Sequence, residues 1–250
     1  YLIWESLSSS RVVKSSSFFI NHIIFLHDHV ITILILVIFF ISYMIFFLIF
    51  NSNYYKFFLE VPTFLLLVVI FPSLKVVYII EDIYRVFYTV KVVAHQWYWT
   101  YVMPFYNNVL FNTNTSSNFY SLRVDSLMDN SQSEEVTGGP RLLHCRDDLI
   151  LPVNFFTRFL ITSADVIHSF SIPSLGVKVD AVPGRVNQLF VIPTRLGVFY
   201  GQCSEICGTN HSFMPISLKV VPIDLFDSYL LGLSCSEVLL DNDILVRLNS

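Results

Sequence analysis

Gly201-Gln202-Cys203-Ser204-Glu205-Ile206-Cys207-Gly208-Thr209-Asn210-His211-Ser212-Phe213-Met214 gathers two thiols, an imidazole and a thioether in one short stretch. Thiolates with imidazole and a weak thioether are the ligand set of electron-transfer copper. Soft sulfur suits copper(I) and imidazole suits copper(II). A site holding both lets the metal change charge with little rearrangement. Cys203 and Cys207 are separated by three residues, where zinc knuckles commonly have two. Gly201 and Gly208 flank the pair and favour a loop over a helix, so both sulfurs can converge on one centre. For a bare C-x3-C pair, a disulfide or two buried thiols has equal standing. His211 and Met214 move the reading towards metal.

A second imidazole lies upstream, in Asp165-Val166-Ile167-His168-Ser169-Phe170. His168 follows an apolar, strand-like run and precedes a turn marked by Pro173 and Gly176. On its own, such a histidine is more often packed or solvated than ligating.

Residues 201–215 closely resemble the copper loop of the mitochondrial, CuA-bearing cytochrome c oxidase subunit II family. So do Asp165–Phe170, Val182-Pro183-Gly184-Arg185-Val186-Asn187-Gln188 and His95-Gln96-Trp97-Tyr98-Trp99. The resemblance runs from about residue 57 to 222. It implies a cupredoxin-like β head with two copper ions bridged by Cys203 and Cys207. His168 and His211 become the terminal imidazoles and Met214 the weak axial ligand. Glu205 lends its backbone carbonyl to one copper, and its side chain reaches a magnesium at the boundary with subunit I. Trp97 is the position where electrons arrive from cytochrome c. They leave for haem in subunit I, where oxygen is reduced to water and most protons are pumped. The implied partners are subunit I, the other complex IV subunits, cytochrome c and membrane lipid. The implied location is the mitochondrial inner membrane, crossed twice, with head and N-terminus in the intermembrane space. One departure stands out. The family usually has a carboxylate seven residues before the proline matching Pro62, and Tyr55 stands there. The proton-path role is therefore not carried over.

Composition agrees with a membrane-bound chain. The 250 residues are 54% hydrophobic, with 24 Phe, and mean hydropathy is +0.62. Residues 1–80 hold four Lys or Arg and three Asp or Glu; the rest holds 15 − 4 = 11 basic and 19 − 3 = 16 acidic. The later part thus carries about −5, which suits a basic partner and excludes nucleic acid as a natural one. A modest negative charge that merely aids solubility is the plain alternative. Cys145 and Cys235 remain, and a disulfide between them is left open.

Residues 1–22, with Ser-rich patches around Arg11 and Lys14, read as a short external segment. Residues 23–80 read as a transmembrane helical hairpin. Residues 30–50 are almost wholly apolar, and as a helix they rise ~31 Å, near the ~30 Å hydrocarbon core. His22, His27, Asp28 and His29 just ahead read as polar groups at a helix end. A second apolar run, 57–80, is interrupted by Pro62 and Pro72. Tyr54, Tyr55 and Lys56 read as interfacial anchors. Residues 81–89 connect to a head at 90–222, with a polar loop or partner-contact insertion at about 105–140. Short strands are expected from residue 90 and at 149–151, 155–162, 188–192, 198–201 and 216–221, as in a Greek-key sandwich or barrel. Asp224 is placed to cap a C-terminal helix to about 233, within a tail at 223–250.

Three rivals fit less well. A copper-free quinol-oxidase subunit predicts loss of the Cys pair and His211. A membrane-anchored copper chaperone shares C-x3-C with a distant His, but typically has one span and a thioredoxin-like βαβ pattern. A purely structural membrane subunit leaves the ligand constellation unexplained.

Overall fold

The computed structural model describes residues 15–50, 60–81, 85–106, 119–129 and 140–230. Helix α1 is Phe18–Phe50 and α2 is Glu60–Glu81. Both are long and apolar enough to cross a membrane, and their apolar side chains are exposed: Phe39 is 78% and Phe71 80% accessible. Outside lipid such exposure would be costly, at ~25 cal/mol for each Å².

Helix α1 begins well ahead of the 30–50 run because residues 18–26, Phe-Phe-Ile-Asn-His-Ile-Ile-Phe-Leu, are themselves mostly apolar. His22, His27, Asp28 and His29 therefore lie within the helix, not before it. In α2, Pro62 falls in the first turn, where a missing N–H costs nothing. Pro72 is interior and deprives the Val68 carbonyl of its usual partner four residues on. A ring nitrogen of His29 lies 3.5 Å from that carbonyl, at the long limit of a hydrogen bond. Tyr54, Tyr55 and Lys56 lie outside the described residues.

The head is built from ten strands: β1 Tyr88–His95, β2 Tyr98–Tyr106, β3 Phe119–Ser126, β4 Leu149–Pro152, β5 Thr157–Ser163, β6 His168–Ile172, β7 Val177–Ala181, β8 Asn187–Val191, β9 Gly197–Cys203 and β10 Pro215–Val221. They form two five-stranded sheets, ordered β3-β2-β1-β5-β8 and β4-β10-β9-β6-β7. Strands β1 and β5 pair in parallel, as do β10 and β4; the other pairings are antiparallel. Alternation explains the faces. Val90, Val92 and Ala94 on β1 are wholly buried between more accessible neighbours. Trp99, Tyr101, Phe159, Phe170, Ile172 and Leu218 complete the centre of this core.

The polar stretch 105–140 is not all loop. Strand β3 lies inside it and pairs with β2 from Tyr106↔Phe119 to Trp99↔Ser126. Leu122 and Val124 alternate with Ser121, Arg123 and Asp125, which gives β3 one apolar face. A helix covers residues 223–230 up to the edge of the described chain. It starts before Asp224, which sits in the first turn and accepts a hydrogen bond from the Ser228 hydroxyl through its own carbonyl. An acidic group there still favours the helix dipole.

The chain divides into two compact units, residues 19–83 and the remainder. Residues just before α1 belong with the head. Ser17 bridges Pro193 and donates its hydroxyl to the Leu175 carbonyl at 2.6 Å, while the Thr194 N–H donates to the Ser16 carbonyl at 2.9 Å.

Candidate metal centre

Three neighbouring parts of the head supply the site. Strand β6 opens with His168, β9 ends with Cys203, and the β9–β10 loop carries Cys207, His211 and Met214. Pairing of β6 with β9 puts Phe170 opposite Cys203, and the Ser204 N–H donates to the Ser169 carbonyl. Two segments distant in sequence are thereby adjacent. A β-carbon on Gly201 would lie 2.1 Å from the Ser171 carbonyl oxygen, so only glycine permits β9 this approach to β6.

The donor atoms converge. His168, Cys203 and Cys207 place one ligating atom each within 4.8 Å of the others. His168 Nδ1 lies 3.9 Å from Cys203 Sγ, and His211 Nδ1 lies 3.6 Å from Cys207 Sγ. Met214 Sδ is 3.5 Å from Cys207 Sγ, and the Glu205 carbonyl oxygen is 3.3 Å from Cys203 Sγ. Two ligands bound at ~2.0–2.3 Å with near-tetrahedral angles stand roughly 3.3–3.8 Å apart. The separations of 3.3, 3.5 and 3.6 Å fall on the edges of such a coordination shell, and the 3.9 Å between His168 Nδ1 and Cys203 Sγ lies just beyond them. Each thiol therefore has one imidazole nitrogen beside it, His168 for Cys203 and His211 for Cys207. His168, Cys203, Cys207 and Met214 are buried; His211 is half-buried.

Second contacts orient these groups. Asp165 Oδ1 lies 2.8 Å from His168 Nε2. That bond keeps the proton on Nε2 and turns the Nδ1 lone pair towards the thiols. Burial pulls the His168 pKa down, but its bonds to Cys203 and Asp165 leave it above the ordinary value. Burial pushes the Cys203 thiol up, yet hydrogen bonds, first from His168, bring it down to about 6. Cys207 is pushed up to about 12 by burial and then by the charge on Cys203. The two thiols form a coupled pair that gives up one proton easily and the second reluctantly. A bound cation would take the place of that second proton.

Further contacts surround the site, and those of Trp99 and Gln96 come from residues to which sequence reasoning gave no role. The Trp99 indole N–H donates to the Met214 carbonyl at 3.3 Å, and its ring meets His168 edge-on at 6.1 Å between centroids. The Cys145 thiol, free and buried, donates to the Pro215 carbonyl at 3.6 Å, and burial raises its pKa to about 11. Its suggested partner Cys235 lies outside the described residues. Gln96 and Trp97 form the turn between β1 and β2, closed by the His95↔Tyr98 pair. Both donate to the Cys207 carbonyl, from Gln96 Nε2 at 2.8 Å and Trp97 Nε1 at 3.3 Å. Trp97 thus lies against the loop that holds the thiols. The Glu205 side chain is exposed.

The comparisons agree with this geometry. A family model described as cytochrome c oxidase subunit II, periplasmic domain, matches residues 88–221. The chain is 38% identical to cytochrome c oxidase subunit 2 of Branchiostoma lanceolatum, over 95% of each chain. It is 39% identical to the same subunit of Drosophila melanogaster, covering 89% of this chain and 95% of that one. Among solved structures, the periplasmic domain of cytochrome oxidase subunit II (CoxB) from Bradyrhizobium japonicum matches with a TM-score of 0.50 at 37% identity. That match covers 60% of this chain and 96% of the other. A two-helix membrane hairpin, a cupredoxin-like head and a convergent thiol–imidazole cluster thus meet in one chain, and the chain belongs to the cytochrome c oxidase subunit II family.

Proposed function

We propose that this chain is the electron-accepting subunit of a respiratory cytochrome c oxidase. His168, Cys203, Cys207, His211, Met214 and the Glu205 carbonyl would hold a pair of copper ions. When bound, the pair supplies a one-electron relay between cytochrome c and haem in subunit I, where oxygen is reduced and protons are pumped. The observation that carries the reading is the convergence of both thiols with His168 Nδ1, His211 Nδ1 and Met214 Sδ at ligand–ligand spacings.

The chain's own part is to bind, orient and stay still. Cys203 and Cys207, each with an imidazole nitrogen beside it, would both supply sulfur to the site. The strands fix His168 and Cys203, and the short loop fixes the rest. Trp97, in contact with the Cys207 carbonyl, is the residue through which electrons reach the site. Residues 90–222 hold nine basic and nine acidic residues, so recognition of a basic partner such as cytochrome c would rest on where the head's charges are placed and not on their sum. The exposed Glu205 carboxylate suits one ligand of a magnesium whose other ligands come from subunit I. Two spans make a hairpin whose two ends emerge on the same side of the membrane. We assign that side to the intermembrane space of mitochondria, with the two helices in the inner membrane and in contact with lipid. The reading retains a short external segment at 1–22, a connector at 81–89 and a tail at 223–250.

The test is rapid mixing of the purified oxidase with reduced cytochrome c. Cys203→Ser is expected to abolish fast electron uptake while the β head stays folded by circular dichroism. Uptake surviving in that variant would refute the mechanism.

A further inference from the structure

The two ligand-bearing segments are joined by β6–β9 pairing at one end. At the other end they meet a single residue of the β1–β2 turn. The Gln96 backbone N–H donates to Asp165 Oδ2 at 2.6 Å, and Asp165 Oδ1 holds His168 Nε2. The Gln96 side-chain amide donates to the Cys207 carbonyl at 2.8 Å. Only the NH2 end of the amide can serve there, because a carbonyl oxygen accepts and never donates. The Trp97 indole shares the same acceptor. The turn is also packed against the loop. Gly208 has φ +122°, and a β-carbon there would lie 3.1 Å from Trp97 Cζ2 and 3.3 Å from Gln96 Nε2.

We propose that Gln96 is a positioning residue of the metal centre, tying the Cys207 side of the loop and the Asp165–His168 side to one hairpin turn. It touches no ligand atom. It acts through the carbonyl of one ligand residue and through the carboxylate that orients another. The same bonds hold Trp97 against Gly208, so Gln96 also sets the contact through which electrons are proposed to arrive. This inference rests on the reading of Cys207 and His168 as copper ligands, but the clamp itself exists without metal.

The experiment therefore starts with the metal-free full chain in detergent. Gln96→Met matches the length and removes the donor; Gln96→Glu matches the size and can only accept. Alkylation of Cys207 is followed by mass spectrometry at fixed pH, with Cys203 as the internal reference. Losing one neutral hydrogen bond shifts a local opening equilibrium by about fivefold, so Cys207 is expected to react about fivefold faster relative to Cys203. Gln188→Met, on the exposed side of β8, is expected to leave the ratio unchanged. The copper-loaded chain gives a second readout. In both Gln96 variants the hyperfine pattern is expected to become less symmetric between the coppers. In the assembled oxidase, where subunit I supplies haem and oxygen as acceptors, kcat with cytochrome c as donor should fall while KM holds. Should Gln96→Met fail to fold, Gln96→Glu carries the same comparison. Unchanged thiol reactivity with an unchanged spectrum overturns the proposal. Should the unaltered chain bind copper as a mononuclear centre, the proposed function fails, while the thiol ratio still decides the clamp.

Discussion

At the scale of single residues, Asp165 does most for its size. Burial raises its pKa, but bonds from His168, Val166 and Gln96 outweigh that and hold it below the ordinary carboxylate value. A group with a depressed folded pKa stabilises the fold above its unfolded value, about pH 4, and loses that contribution as pH falls through the folded value. Its side chain is 30% exposed, so the contribution is small, below about 1 kcal/mol. The larger effect is on its partner. Asp165→Asn is expected to lower the His168 pKa in the metal-free chain, because one of the bonds that raises it is weakened. An NMR titration of the ring measures this; an unchanged His168 would show that Asp165 does not fix its tautomer. The signal for Asp165 was visible in the sequence, three residues before His168. The role of Gln96 was not, because its partners Asp165 and Cys207 lie 69 and 111 residues away.

At the scale of elements, the site depends on how closely β6 and β9 approach. Gly201→Ala would place a methyl group against the Ser171 carbonyl, backbone that cannot swing aside. The variant is expected to lose about 1–3 kcal/mol in chemical denaturation and to bind copper more weakly, since β6 carries His168 and β9 carries Cys203. Stability equal to that of the unaltered chain would contradict the packing described. Strands with clean alternation, such as β1 and β5, were legible because their buried face repeats every second residue. Strand β3 was obscured by polar residues on both flanks, and β2 by an aromatic motif that drew attention to chemistry. The start of α1 was misplaced because three histidines and an aspartate read as a boundary. In an apolar helix of 33 residues they do not end it.

At the scale of the molecule, the sequence revealed the membrane hairpin through two long apolar runs and the head through its spacing of strands and turns. The candidate ligand residues were legible because sulfur and imidazole are few and closely spaced. Their convergence was not, since strand pairing, not sequence proximity, carries His168 to Cys203. The joining of residues 15–18 to the head was equally hidden, because those serines carry no pattern of their own. The central claim is that both thiols hold a shared pair of copper ions on a scaffold that does not relax when an electron arrives. Electron paramagnetic resonance on the copper-loaded full chain tests it most directly. A multiline signal from one unpaired electron spread equally over two copper nuclei is predicted. The simpler pattern of an electron on a single copper nucleus, or a chain that takes up zinc alone, would contradict it.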